Sequence, residues 1–185
     1  DFNNDGYEDL AIGIPDSNLS NTSGGYAYLV LGQSGATRGD VSMSAFSASD
    51  GIYITGAAGA DRLGSMVDVS GDLNGDGYSD LVVISSQADA AATNSGTAYV
   101  IWGSGSPANI DISTFNTSDG FTNTDGFVIA GYEGSEELGY FASTFPRNAQ
   151  YLDASGDFNG DGINDLLIGH DRSDYSGTNS GVGYL

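Results

Sequence analysis

The apolar segments of this chain are short, partly β-branched and separated by stretches rich in Gly, Asp, Asn and Ser. Three of them occupy residues 10–14, 81–84 and 166–169, with the sequences LAIGI, LVVI and LLIG. A continuous apolar run of this length is typical of a buried strand and is too short for an amphipathic helix. The pattern therefore predicts buried β-strands at these three places.

A second set of strands is predicted by aromatic and branched residues enclosed between glycines, a pattern typical of strands. These segments lie at residues 25–32, 96–103 and 181–185. Two further apolar landmarks each occur twice. The matching pairs are residues 50–56 with 125–131 and residues 63–69 with 138–143. Together the landmarks predict a repeating unit of about four short strands.

A nine-residue polar motif lies immediately before each strand of the first set. Its copies occupy residues 1–9, 72–80 and 157–165, with the sequences DFNNDGYED, DLNGDGYSD and DFNGDGIND. Oxygen-bearing side chains stand at positions 1, 3, 5 and 9 of each copy, and Gly stands at position 6. Ca²⁺ binds about six to eight oxygen ligands, and a glycine permits the sharp turn that returns the ninth residue to the ion. The motif therefore predicts three calcium loops.

The residues after the motif distinguish it from two other kinds of calcium loop. An EF-hand places a bidentate Glu at position 12 and continues into a helix, whereas position 12 here is Ile12, Val83 or Ile168. A dockerin-like loop also leads into a helix. Because each copy here leads into a predicted strand, neither alternative fits. The loop is instead expected to join the first strand of the unit to the second.

Four-stranded units that recur along a chain indicate a β-propeller. One such sheet cannot bury both of its faces alone, whereas stacked neighbours can. We therefore predict an all-β fold, with propeller blades of four antiparallel strands and a calcium loop between the first and second strand. By its landmarks the chain holds about two and a half blades, at residues 1–60, 61–132 and 133–185, and is expected to be part of a longer protein.

These residues resemble the FG-GAP repeat, the blade of the integrin α-subunit propeller. In style they are closest to bacterial secreted proteins that carry many such repeats and bind calcium. The likeness covers nearly the whole chain and rests on the three loops and the Gly-bounded strands. It implies that residues 1–185 are part of one propeller domain that binds three Ca²⁺ ions. It also implies an extracellular or cell-surface location, in a bacterium.

The resemblance further implies a set of calcium ligands in each loop. Side chains at positions 1, 3, 5 and 9 would bind the ion, and the residue at position 7 would contribute its backbone carbonyl oxygen. The implied side-chain ligands are Asp1, Asn3, Asp5, Asp9, Asp72, Asn74, Asp76, Asp80, Asp157, Asn159, Asp161 and Asp165. The implied carbonyl donors are Tyr7, Tyr78 and Ile163.

Composition narrows the range of partners. The net charge is −21, from 25 acidic residues against four Arg and no Lys. Such a surface opposes binding to nucleic acid and to anionic membranes, which need basic patches, and it favours divalent cations. Cys is absent, so stability does not come from disulfides, and no apolar run is long enough to insert into a membrane. Calcium is therefore expected to serve as the cross-link.

The chain offers few residues for catalysis. His170 is the only histidine, and no Gly-x-Ser-x-Gly nucleophile elbow is present. Three glutamates within residues 133–137 are expected to form a solvated or ion-binding loop. The tripeptide Arg38-Gly39-Asp40 matches an integrin-recognition motif, but three residues match by chance in a chain of this composition. We therefore predict that the protein is not an enzyme.

The sequence favours a non-catalytic, calcium-binding module for adhesion, recognition or assembly. Such a module would bind a protein or glycan partner through its loop surface. Two alternatives stay open at this point. The chain could be a subunit of an extracellular filament or surface layer, assembling with further blades or copies. It could also be an accessory propeller of a secreted hydrolase, with the catalytic residues outside this chain.

Overall fold

The computed structural model of the protein describes residues 1–17, 24–35, 38–57, 60–89, 91–114, 125–132, 134, 137–138, 152–170 and 182–184. Within these residues the secondary structure consists of β-strands and of 3₁₀ turns at Met43–Ala45 and Ile112–Thr114. The strands are β1 (Leu10–Ile14), β2 (Tyr26–Val30), β3 (Gly51–Thr55), β4 (Leu63–Gly71), β5 (Asp80–Ser85), β6 (Thr97–Ile101), β7 (Ile110–Asp111), β8 (Gly126–Ala130), β9 (Leu152–Gly156), β10 (Asp165–His170) and β11 (Val182–Tyr184).

In the part of the chain that the structure describes, the strands form three sheets, and sheet 2 contains a four-stranded unit. Its order is β4-β5-β6-β8, and it is antiparallel throughout. The loop at 72–80 joins its first strand to its second. Sheet 3 has the order β11-β10-β9 within the described residues. The loop at 157–165 joins β9 to β10, the first two strands of this sheet along the chain. The prediction of an all-β fold built from antiparallel blades is confirmed.

Sheet 1 combines strands from two of the predicted units. Its strands β1, β2 and β3 are antiparallel. The two-residue strand β7 adds to β3 in parallel, with Ile110 opposite Ile54. In sequence β7 lies within the second unit, so the fourth strand of sheet 1 comes from its neighbour. The unit boundaries after residues 60 and 132 stay predictions, and most of the landmark at 138–143 lies outside the described residues.

Sheet 2 is buried on both faces because it lies between the other two sheets. Along β5, Leu81 and Val83 belong to the core shared with sheet 1, whereas Val82 and Ile84 belong to the core shared with sheet 3. All four side chains are fully buried. Since successive side chains of a strand point to opposite faces, the unbroken apolar run in this strand reflects two cores rather than one.

Glycines allow the neighbouring sheets to approach backbone to backbone. A Cβ atom added to Gly71 would lie 1.8 Å from the carbonyl oxygen of Ala154 on β9. One added to Gly13 would lie 2.0 Å from the carbonyl oxygen of Gly64 on β4. Both distances are far below van der Waals contact, so neither position has space for a side chain. The strands β1, β4 and β9 pack closely for this reason.

Residues 109–112 form a strap that crosses from the second unit to the edge of sheet 1. Asn109 Oδ1 accepts a hydrogen bond from Tyr53 N at 3.0 Å, and the Ile110 carbonyl oxygen accepts one from Thr55 Oγ1 at 3.4 Å. Ile112 is 2% exposed and belongs to the core between sheets 1 and 2. The strap therefore joins two neighbouring blades by hydrogen bonds and by apolar packing.

Replacing Ile112 with Ala is expected to lower the free energy of unfolding by about 2–4 kcal/mol, because truncating a buried Ile leaves a cavity. Met43→Ala is the matched control, since Met43 begins the other 3₁₀ turn but is only partly buried. Its loss should be smaller. Urea unfolding of both variants measures the difference, and equal losses would show that Ile112 does not anchor the strap.

Candidate metal-binding loops

The three motifs adopt the same loop, which is closed by the carboxylate at position 1. Asp1 accepts hydrogen bonds from the backbone N–H groups of Asp5, at 2.9 Å, and Gly6, at 2.8 Å. Asp72 makes the same two bonds at 3.2 and 2.8 Å, and Asp157 makes them at 3.1 and 2.9 Å. The position-1 carboxylate therefore lies within the turn of every copy.

The side chains at positions 3 and 5 contact each other within that turn. In the first loop, Asn3 Oδ1 accepts a bond from Asp5 N at 3.2 Å, and Asn3 Nδ2 donates to Asp5 Oδ2 at 2.9 Å. Asp5 Oδ1 accepts a bond from Tyr7 N at 3.0 Å. The loop at 72–80 repeats all three contacts, and the loop at 157–165 repeats the two made by backbone N–H groups. Positions 1, 3, 5 and 7 thus meet in one short turn.

The Asp at position 9 ties the loop to the sheet beside it. Asp80 is fully buried. Its Oδ2 accepts a bond from Leu73 N at 2.7 Å, and its Oδ1 accepts one from Gly103 N at 2.9 Å. Asp9 repeats both bonds at 2.7 Å each, and Asp165 repeats the first at 2.7 Å. The last predicted ligand of each loop therefore also has a structural role.

Gly103 and its counterpart Gly32 contribute to the loops, although they lie outside the nine-residue motif. The N–H group of each donates to the position-9 carboxylate of its own unit. A Cβ added to Gly103 would lie 2.4 Å from Tyr78 Cβ and 2.6 Å from the Ser79 carbonyl oxygen. The sequence signal for this contact is the Gly that closes the aromatic strand, because only a bare backbone fits beside the loop.

Two positions of each loop have a left-handed backbone. At position 6 the φ angles of Gly6, Gly77 and Gly162 are 89°, 91° and 90°. Nothing lies within 4 Å of a Cβ added to these residues, so conformation rather than space requires glycine there. Position 4 is also left-handed, with φ angles from 52° at Asn4 to 79° at Gly160. Asn and Gly are the residues that tolerate this conformation, so position 4 carries a sequence signal that the ligand pattern does not include.

The carboxylates of the second loop repel one another. Burial raises the pKa of Asp80 from 3.8 to about 6, and its backbone hydrogen bonds from Gly103 and Leu73 oppose this increase. The charges on Asp76 and Asp72 raise the pKa of Asp80 further. A cation among these three side chains would act in the opposite direction, because it favours the ionised carboxylate.

The donor set of each loop suits a hard cation such as Ca²⁺. Positions 1, 5 and 9 supply carboxylate oxygens, and position 3 supplies an amide oxygen. Ca²⁺ prefers oxygen ligands of these kinds. A carboxylate has about four lone-pair sites, so the hydrogen bonds within the loops leave acceptors for an ion. Among the described residues, no group of three or more His, Cys, Asp or Glu is arranged to hold a metal, and the ligand set stays a prediction.

A cavity of about 670 Å³ lies beside the second loop, between sheets 1 and 2. Its lining includes Asn74 and Asp76 of the loop, Trp102, and Asn109 of the strap. Trp102 is partly buried and is the only Trp in the chain. The cavity is within the size range of small-molecule sites, roughly 300–1,000 Å³. The amide and carboxylate oxygens of its lining offer hydrogen bonding, whereas the Trp102 side chain packs against the core shared with sheet 3, with its ring centroid 5.5 Å from that of Phe127.

The arginine of the Arg38-Gly39-Asp40 tripeptide is held by the protein itself. Its guanidinium donates to the carbonyl oxygen of Leu31 and, at 3.1 Å, to that of Asp50. The geometry gives Arg38 a structural role, in agreement with a chance match. His170 ends β10, and two of the three glutamates within 133–137 lie outside the described residues.

Comparison with protein families finds that the model described as FG-GAP repeat matches residues 1–30, 67–101 and 151–185. These regions make up more than half of the chain, and each contains one of the loops and the strand that follows it. No curated protein has a significant match to the chain. Across the part of the chain that the structure describes, no helix is long and apolar enough to span a membrane.

Proposed function

The chain belongs to the FG-GAP repeat family, and from this premise we propose that it is a non-catalytic, calcium-stabilised module of an extracellular or cell-surface protein. FG-GAP is a structural repeat that is generally non-catalytic and is typical of extracellular and surface proteins. The observation that carries the proposal is the threefold occurrence of one oxygen-rich turn, with the same hydrogen bonds at positions 1, 5 and 9.

In this proposal, each loop holds one Ca²⁺ through the side chains at positions 1, 3, 5 and 9 and the carbonyl oxygen at position 7. The bound ion supplies positive charge that cross-links the carboxylates. The protein's own residues do the rest. The position-1 carboxylate closes the turn, and the position-9 carboxylate fastens it to the sheet. The connection between the first and second strand of the blade is thereby made rigid.

We also propose that the loop surface binds the partner, a protein or a glycan, in adhesion or recognition. The cavity beside the second loop supports this, because its lining includes the polar side chains of Asn74 and Asp76 from the loop and of Asn109 from the strap. The net charge of −21 disfavours nucleic acid and anionic membranes as partners.

Calcium binding at the second loop is expected to change the fluorescence of Trp102. Trp102 and Leu73 of the second loop both pack against the core shared with sheet 3, and Trp102 is the only Trp, so its emission reports on one place in the molecule. Titrating calcium into chelator-treated protein should therefore change the emission with a saturable dependence on calcium. Asp76→Asn should abolish or greatly weaken the change.

The matched control is Asp161→Asn, at the same position of the third loop. Asp161 is exposed and hydrogen-bonds only within its own loop in the described structure. At saturating calcium this variant should keep the full amplitude of the Trp102 response. A response that is the same in wild type and Asp76→Asn would contradict calcium binding at the second loop, and a protein that binds no calcium by calorimetry would overturn the proposed function.

A further inference from the structure

Neighbouring loops are joined to each other through their positions 8 and 1. Ser79 N donates to the Asp1 carbonyl oxygen at 3.1 Å, and Asn164 N donates to the Asp72 carbonyl oxygen at 3.0 Å. The reverse contacts use the side chain at position 8. Asp72 N donates to Asn164 Oδ1 at 3.0 Å, and the Asp1 amine donates to Ser79 Oγ at 3.1 Å. The same two-bond link thus occurs at both junctions.

Each link involves residues that also hold the two joined loops in their conformation, or lie next to such residues. The backbone carbonyl oxygen of Asp72 accepts a hydrogen bond from the third loop. The carboxylate of the same residue accepts the N–H groups that close the second loop. Asn164 precedes Asp165, whose carboxylate fastens the third loop. A change that orders the backbone of Asp72 therefore also restrains Asn164, one residue from a predicted ligand.

We propose that Ser79 and Asn164 couple the three loops, so that metal bound at one loop raises the affinity of the next. The inference rests on the proposed function, because it assumes that the loops bind Ca²⁺. Its physical basis is shared order: a loop whose neighbour is already rigid has lost conformational freedom before its own ion binds. Coupling between sites is reciprocal in affinity, so the effect acts in both directions along the chain of loops.

The test measures each loop separately by its position-6 amide. The N–H groups of Gly6, Gly77 and Gly162 donate to the position-1 carboxylates, so their NMR signals should follow occupancy of the individual loops during a calcium titration. Inactivating the third loop with Asp161→Asn should weaken binding at the second loop, read at Gly77, by roughly fivefold.

Asn164→Ala should remove that dependence. It deletes the side-chain half of the link and the bond that Asn164 Nδ2 donates to the Ser155 carbonyl oxygen at 2.8 Å, but no predicted ligand, so in this background Asp161→Asn should leave the affinity at Gly77 unchanged. Glu8→Ala is the matched control. Glu8 stands at the same position of the first loop, and its side chain is 97% exposed. This substitution should leave the coupling between the second and third loops intact.

A readout without metal tests the link itself. In chelator, Asn164→Ala should speed hydrogen exchange at the Asp72 amide, which loses its acceptor, whereas Glu8→Ala should not. If Gly77 binds calcium with the same affinity whether or not the third loop is active, the coupling is overturned and the proposed function stands. If none of the three amides responds to calcium, the proposed function fails, and the coupling with it.

Discussion

Removing calcium with a chelator is expected to lower the melting temperature of the protein by roughly 15–30 °C. At a free concentration about 100 times the dissociation constant, each site adds about 2.7 kcal/mol, so three sites add about 8 kcal/mol. That sum is comparable with the whole net stability of a domain, about 5–15 kcal/mol. For a chain of this length, 1 kcal/mol corresponds to roughly 2–4 °C. Scanning calorimetry with calcium and with chelator measures the shift.

Magnesium is the control for this experiment. Mg²⁺ demands octahedral geometry and retains its waters, so exchanging calcium for magnesium should restore only part of the melting temperature. A shift of the expected size would support a structural ion at the loops. A melting temperature unchanged by chelator, on protein shown to be metal-free, would show that calcium does not stabilise the fold.

Replacing Gly71 with Ala is expected to destabilise the protein by on the order of 3 kcal/mol or more. The new Cβ would lie 1.8 Å from the Ala154 carbonyl oxygen. Because the obstacle is backbone, it cannot rotate away, and the clash is relieved only if sheets 2 and 3 move apart. That movement opens the core containing Leu152 and Ile168. Urea or guanidinium unfolding measures the loss.

Gly156 provides a matched control, since it precedes the third loop as Gly71 precedes the second. Neither glycine has a left-handed φ, so Ala strains neither backbone. A Cβ added to Gly156 would approach the ring of Phe158 at 2.7 Å, but that ring is 57% exposed and free to turn. Gly156→Ala should therefore cost no more than about 1 kcal/mol. Similar losses in both variants would argue against the close approach of the sheets as the cause.

The loops and the strands beside them could be predicted because their causes are local. The left-handed turn at Gly77 and the oxygen atoms of Asp72, Asn74 and Asp76 all act within nine residues of the chain. The unbroken apolar run of β5 likewise indicates that both faces of this strand are buried. Position 4 was equally accessible from the sequence, since its Asn and Gly residues carry the same conformational signal as position 6.

The contacts between repeats could not be predicted, because their partners are remote in sequence. Asn109 of the strap bonds to Tyr53, 56 residues earlier, and nothing near β7 indicates that it adds to another unit's sheet. The sequence does not indicate the links between loops, because one of the two bonds in each link is a backbone N–H to carbonyl bond, which any residue can make. Position 8 accordingly differs in all three copies, as Glu8, Ser79 and Asn164.

The strap at residues 109–112 has a consequence for how such proteins are inherited and recombined. The strap completes the sheet of the preceding blade. A gene segment that encodes one blade alone would therefore include a strap whose partner strand belongs to a blade that was not transferred. Tandem duplication avoids this mismatch, because it copies both the strap and the sheet edge to which the strap binds, and keeps them in the same order along the chain. A chimera should therefore tolerate a transplanted pair of adjacent blades better than a single one.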